Sequence, residues 1–518
     1  MKKCGVQDCK LEVFQDRDKC VLHCDKEGYR RDLDNGDLLP QFYEELVSHI
    51  VDLIVPEKHD SDEFSRVNLR KYLAGDLEDS LVQRYSESIC RKVVFMVGVY
   101  FPWRDESGPD NYDYSHVLQM LGKIHFSACA FRYNLLELDR VECFYDTCSF
   151  YDRWNPVNTA IIENAQKVLY RDCVFHEDVS LYYGEDERHI IEVSLFHNCV
   201  FYKGMFFENV QFVSPIFRDA DNGSIISSIF LVNCTLSEKF ILNNSEIRKF
   251  SSTNTVYESK FEFKSNVVED FLLDDSNFFE LVDTYGTRFS KFRVHKCIFE
   301  KFAGFELCEF GDENNNDLSS LAEFKFATFH AFVNLRNTKF YSGLDIENIN
   351  LKEPPNFLYI ELNPTNSNRE TYRIIKNSFD SIGNHIEANR FFVYEMKKYK
   401  EELKGSKLTQ EKALFYINEF VSNFGQSYVR PIGVLILVSF ILYLLNLGHE
   451  NEWLYKMYPP ANDYINGIST FVNDLAGNIL PFKKFLIKGM EAISLIFYAL
   501  IGSLIWQMIV AVKRHTKR

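Results

Sequence analysis

The amino-acid sequence predicts a mainly β protein: a long square-sided solenoid, capped by helices and followed by two membrane-spanning helices. Three observations lead there. Large apolar residues recur every five positions through residues 93–362, phenylalanine (47 of 518 residues) gathers in that stretch, and two apolar runs near the C-terminus each approach the roughly 20 residues that cross a bilayer.

A chain of 518 residues with 46% apolar side chains has enough material to bury extensive cores. Lys and Arg number 58 against 74 Asp and Glu, a net charge of −16. That balance excludes a sequence-independent grip on nucleic-acid backbone, which needs clustered cations, so no direct nucleic-acid binding is expected. It suits a solvated wall kept soluble by charge. All thirteen cysteines precede Gly311, and the opening MKKCGVQDCK lacks the apolar run of a signal peptide. The Cys-bearing part is therefore expected in the cytosol, where thiols are metal ligands or small buried residues rather than disulfides.

Residues 1–35 hold the pattern C-x4-C-x10-C-x2-H-C. Four donors from two short clusters suit tetrahedral zinc, and so short a segment has little core of its own to hold it folded. Cys4, Cys9, Cys20 and His23 are the expected ligands, with Cys24 as the alternative to His23; the motif resembles small treble-clef-like knuckles. Four protein ligands leave no open position for water or substrate, so the expected zinc is structural. Residues 36–92 read as a helical cap. Phe42, Leu46, Ile50 and Leu53 recur at helical spacing up to Val55-Pro56, and a second helix fits Leu81 to Ile89. The expected work of these two segments is to cover the first open coil of the solenoid.

From Val93 the period becomes five. Phe126 and Phe131, Tyr145 and Phe150, Phe196, Phe201 and Phe206, Phe212 and Phe217, Phe289, Val294 and Phe299, Phe305 and Phe310, Phe324 and Phe329, and Leu335 and Phe340 follow it. Two residues before many of these stands a small side chain, among them Cys129, Cys148, Cys173, Cys199, Cys234, Cys297, Cys308, Ala327 and Thr338. Five is neither the helix nor the strand period. It fits a square-sided helix in which each side is one pentapeptide and the large and small residues both turn inward. His197 and His295, two before such cysteines, then face outward and are not expected to bind metal.

This region resembles the pentapeptide-repeat family, which implies a right-handed quadrilateral β-helix. The repeats are degenerate and are interrupted at Gly184 to His189 and at Gly311 to Asp317, so several coils are expected to carry side loops.

Residues 363–427 read as a helical connector. Tyr372, Ile375, Phe379 and Ile382 form one stripe, Gly383-Asn384 a break, Phe392, Met396 and Tyr399 a second stripe, and Leu414, Ile417, Val421 and Phe424 a third that closes at Gly425. Residues 428–512 form a two-span membrane domain, with apolar runs from Tyr428 to Leu447 and from Met490 to Val512. Basic residues precede the first run, and residues 513–518 form a basic tail after the second. Both termini are therefore expected in the cytosol. Ala499, Ser503 and Gln507 lie four apart on the second span, a spacing that favours close helix packing or a pore lining. Between the spans, Ile468, Phe471, Val472, Leu475 and Ile479 make an amphipathic segment before Pro481. Span, amphipathic helix, span resembles the layout of two-span pore-loop channels, without a T-V-G-Y-G-type filter.

The sequence holds no G-x-x-x-x-G-K-S/T, H-E-x-x-H, G-x-S-x-G or G-x-G-x-x-G motif, and no enzyme is expected. The layout resembles bacterial inner-membrane proteins that carry pentapeptide repeats. That resemblance implies a membrane effector or sensor with a cytosolic protein partner, acting as a homo-oligomer, with phage defence as the biological setting. A static membrane-anchored scaffold is the first alternative. A DNA mimic that binds a topoisomerase is the second, although such proteins resemble short uninterrupted rods.

Overall fold

The computed structural model describes residues 3–6, 9–26, 38–56, 64–103, 112–132, 138, 140–157, 168–182, 184, 189–218, 225–313, 318–403, 410–450, 467–473 and 486–516. They divide into two compact units, Met1–Asn366 and Ser367–Arg518.

In the first unit every pair of named strands is parallel, and the strands stack in four faces over about ten turns of a solenoid. On one face Phe240, Phe261, Val282 and Ala303 align as successive rungs, each 21 residues after the last. The core is a set of ring stacks along the axis. Phe101, Phe131, Phe150, Phe175 and Phe201 lie centroid to centroid at 4.6–5.1 Å. A neighbouring stack of Phe126, Tyr145, Tyr170 and Phe196 meets the first edge to face. Offset stacks within a column and T-shaped contacts between columns suit the aromatic quadrupole.

The five-residue period is confirmed for most sides, and the small residues two before the large ones are all buried, from Cys129 to Thr338. Two details differ. Each regular coil has 21 residues because one side is six long: Tyr257 to Phe263, Phe278 to Thr284 and Phe299 to Phe305 are each six apart and all buried. At that corner a large side chain such as Phe240 or Phe261 stands where a small one is expected. The second difference is Phe206, which turns outward onto Phe230 (4.6 Å) while Met205 and Phe207 are buried. The strand Val200–Glu208 shifts register between Phe201 and Gly204, and one added residue reverses the face of everything after it.

The corners need left-handed backbone. Asn233, Asn254, Asp275 and Lys296 have φ of 51°, 48°, 48° and 53° and each directly precedes a small inward residue. Asn and Asp tolerate this region best. The inward residue then bonds across coils: Cys234 Sγ lies 3.3 Å from the Phe207 carbonyl, and Thr255 Oγ1 donates to the Leu231 carbonyl at 3.4 Å. Of the two interruptions, Gly184 and residues 311–313 lie between strands and His189 begins the strand His189–Ile191; the rest of each falls outside the described residues.

Helix α1 (Leu38–Ile54) buries Leu38, Phe42, Leu46, Ile50 and Ile54 and ends before Pro56. Leu53, expected on that stripe, is exposed instead. Helices α2 (Arg66–Leu73), α3 (Asp79–Ile89) and α4 (Tyr114–Gln119) follow; α2 and α4 escape the apolar periodicity because they are short. Phe42 of α1 meets Phe101 and Tyr114 edge to face, at 5.9 and 5.4 Å, and so closes the first coil.

The second unit is helical. Helix α5 (Arg369–Ser381) packs on α6 (His385–Glu402) through Tyr372, Ile375 and Phe379 against Ala388 and Phe391. Ile382 lies beyond the end of α5 and is exposed, just before Gly383 at φ 76°. On α6 it is Phe391 and Val393 that are buried, with Phe392, Met396 and Tyr399 half-buried. Helix α7 (Gln410–Ser422) is followed by α8 (Val429–Glu450) and α9 (Glu491–Thr516). Within the last two, Val429–His449 and Glu491–Arg514 are long and apolar enough to cross a membrane. Ile468, Phe471 and Val472 are exposed on a short helical stretch, whereas Leu475, Ile479 and Pro481 fall outside the described residues.

Candidate functional site

The N-terminal segment places the four expected ligands together. Lys3 pairs antiparallel with Glu12, and the Cys4 amide bonds the Leu11 carbonyl at 3.0 Å, forming the hairpin that carries Cys4 and Cys9. The turn after Cys20 folds back so that the His23 and Cys24 amides reach the Cys20 carbonyl at 3.1 and 2.8 Å. His23 Nδ1 then lies 3.1 Å from Cys20 Sγ and 3.6 Å from Cys4 Sγ, and Cys9 Sγ lies 3.7 Å from Cys20 Sγ. All four donor atoms fall within 4.8 Å of one another. A tetrahedral centre with metal–sulfur bonds near 2.3 Å has donor–donor edges of about 3.7 Å, so the cluster has the dimensions to hold a metal ion. Cys24 stands apart, with its Sγ directed at the Val21 carbonyl 3.9 Å away.

The electrostatics fit the same use. Burial, aided by the charge of His49, holds the His23 pKa below its ordinary value, so the neutral imidazole that ligates metal is the form present at neutral pH. Burial pushes the Cys20 thiol up to about 12, so a cation must displace its proton to bind. The His23 ring is also hydrogen-bonded to the backbone of Val97 at the end of the first strand, which fixes its orientation.

The cluster is tied to the solenoid's first rung. The Tyr100 amide donates to the Leu22 carbonyl at 2.8 Å, while one coil later the Ala130 amide donates to Val99 at 3.0 Å. Leu22 thus supplies the acceptor that a preceding coil would. Lys26, fully buried, donates to the Leu22 and Cys24 carbonyls at 3.4 and 2.9 Å and lies over the rings of Phe42 and Tyr100. Its amine joins knuckle, helix and first coil at one point. Burial draws its pKa down to about 8. Sequence reasoning missed Lys26, since nothing local marks a lysine as buried.

The interior thiols serve another purpose. Cys129, Cys148, Cys173, Cys199 and Cys234 each bond backbone carbonyls of their own coil and of the one before. Burial raises the pKa of Cys129 and Cys173 and pushes Cys297 and Cys308 up to about 12, so these remain protonated donors. His197 and His295 turn outward and bond Arg218 O (2.9 Å) and Asp274 (2.8 Å).

In the second unit Gln507, on α9, has its partners on α7. Its Nε2 donates to Asn418 Oδ1 at 3.2 Å, and its Oε1 accepts from Ser422 Oγ at 3.2 Å. Seven residues on, the Arg514 guanidinium bonds the Phe424 carbonyl and covers the Phe392 ring at 4.9 Å, and the Arg514 carbonyl accepts from Asn389 at 3.2 Å. Ala499 and Ser503 share the helix but face outward, with Ser503 Oγ bonded to its own helix at Leu500 O (2.8 Å). No family model, curated protein or solved structure matches the chain.

Proposed function

We propose that this chain is a non-enzymatic, membrane-anchored repeat protein of the pentapeptide-repeat kind, an effector or sensor whose cytosolic solenoid binds a protein partner and acts on a two-span membrane domain. The observation that carries the reading is the attachment of α9 to the connector. Gln507 and Arg514 bond three separate connector segments, so a displacement of α6 or α7 is transmitted to the second span. Zinc is the ion proposed for Cys4, Cys9, Cys20 and His23, because a three-sulfur, one-nitrogen set of tetrahedral size favours it. The proposed setting is a bacterial inner membrane with both termini in the cytosol and the spans assembled as a homo-oligomer.

The test is cell growth and membrane potential during induced expression. Gln507→Leu keeps the apolar length of α9 and removes both hydrogen bonds to α7. The effector reading expects depolarisation by the wild type, reduction in Gln507→Leu at equal accumulation, and none in a chain ended after Gly425. Equal, undisturbed potential in all three, with and without phage challenge, favours the static scaffold.

A further inference from the structure

Among the described residues, helix α7 leaves one side without protein cover. Phe415 and Ser422 point into the unit, the Phe415 ring lying 5.0 Å from Tyr399 and 5.9 Å from Phe424, and Ser422 together with the exposed Asn418 holds Gln507. The adjoining stripe of Leu414, Ile417 and Phe420 is 63%, 59% and 71% exposed. Three large apolar side chains on one helix stripe need an apolar neighbour.

We propose that α7 lies along the bilayer interface, with Leu414, Ile417 and Phe420 in the acyl boundary and Arg430 at the lipid phosphates. This rests on the reading that α8 and α9 span the membrane. The depth follows from the bonds to α9. Glu491–Arg514 is a 24-residue apolar segment, about 36 Å of helix, which sets Arg514 near one headgroup layer of a bilayer with a core of roughly 30 Å. Gln507 lies seven residues, or about 10 Å, inside Arg514. Its partners Asn418 and Ser422 therefore hold α7 at the boundary between headgroups and acyl chains, where interfacial helices bury their apolar sides by roughly 5–10 Å.

The surroundings match that level. Tyr416 and Tyr428 are 43% and 48% exposed, in keeping with aromatic rings that gather at the interface. Where α7 meets α8, an open recess of about 640 Å³ is lined by Tyr416, Glu419, Phe420, Arg430, Gly433 and Val434. Phe420, Gly433 and Val434 offer an apolar wall to an acyl chain, and the exposed Arg430 offers a cation to its phosphate. A phospholipid has both parts in that order.

The experiment uses the full chain reconstituted in phosphatidylcholine–phosphatidylglycerol vesicles whose acyl chains carry bromine either near the headgroup or near the bilayer centre. Native Trp506, on α9, reports the span, as the difference between the wild type and Trp506→Phe. Ile417→Trp in the Trp506→Phe background reports α7, again by difference, so the other indoles cancel. The expected result is quenching of Trp506 together with quenching of the introduced indole about twofold stronger by shallow than by deep bromines. Quenching of Trp506 with none at position 417 overturns the inference and leaves the spans standing. No quenching at either position overturns both. An introduced indole that is unquenched in vesicles and blue-shifts with protein concentration in detergent overturns it in favour of a second copy of the chain.

Discussion

Tyr100 and Ala130 hold equivalent rung positions in successive coils, yet their amides find acceptors of different origin. Ala130 bonds Val99, a residue of the coil before, as Val256 bonds Cys234 and Asn277 bonds Thr255 farther along. Among the described residues Tyr100 has no coil before it and bonds Leu22 of the Cys/His knuckle. In the middle, repetition supplies every partner: each coil buries its rings against two neighbours and satisfies its backbone in the same way. At the end both must come from a segment with almost no core, and the proposed metal at Cys4, Cys9, Cys20 and His23 would hold that segment in shape. The difference teaches that a solenoid's weak point is its first rung, and that four side chains and one buried lysine are placed to support it.

The largest expected effect is on that support. Cys20→Ser removes a fully buried donor that takes part in two of the three short contacts of the cluster, and should cost about 5 kcal/mol or more of the cap's local stability. Elemental analysis should show loss of about one metal ion per chain, with new proteolytic cuts before residue 100. Full metal content and unchanged digestion would remove the basis of the comparison.

Next in size is the core of a coil that repetition supports. Phe201→Ala empties one position of a ring stack and should cost roughly 3–5 kcal/mol in chemical denaturation. The neighbouring Tyr202, 56% exposed and, among the described residues, in ring contact only with His176 at 5.3 Å, should lose no more than about 1 kcal/mol on Ala substitution. Equal losses at the two positions would mean that the inward register is wrong.

The smallest effects concern the corners. Leu307 sits at φ 58° with an exposed side chain, so Leu307→Asn should gain about 0.5 kcal/mol by relieving left-handed strain. Thr255→Cys replaces a hydroxyl rung by the thiol that Cys234 uses one coil earlier, and should change stability by less than about 1 kcal/mol. A large loss there would show that hydroxyl and thiol rungs are not interchangeable.

The chain's period was legible because inward positions are chemically extreme: a large ring, then a small thiol or hydroxyl two residues away. The six-residue side was not, because Phe240 and Phe261 look like any other large repeat residue and only register across coils places them at a corner. Phe206 misled for a related reason, since a bulge adds one residue without any mark in a phenylalanine-rich strand. Asn233, Asn254 and Asp275 are residues a reader expects at left-handed corners, whereas Leu307, Phe326 and Tyr359 occupy the same conformation without any such signal. At the Cys/His cluster the spacing was sufficient to group the four donors, because they are close in sequence, and the structure separates Cys24 from them. Lys26 was out of reach because the rings that cover it, Phe42 and Tyr100, come from other segments, and the bonds of Gln507 because their partners lie up to 89 residues away. Of the stripe expected on α7, Leu414 and Ile417 lie open, whereas Val421 is half-buried and Phe424 is buried beyond the helix end; Phe420, which completes the exposed stripe, was not read from the sequence.

The most direct test of the account is amide hydrogen exchange with and without a chelator, comparing peptides over residues 93–101 with peptides over residues 246–263 of the same chain. If the metal-held knuckle supplies the missing rung, chelation should strip protection from Tyr100 and the first strand and leave the regular coils as they were. Unchanged protection at Tyr100 once the metal is gone, or an equal loss in both regions, would contradict it.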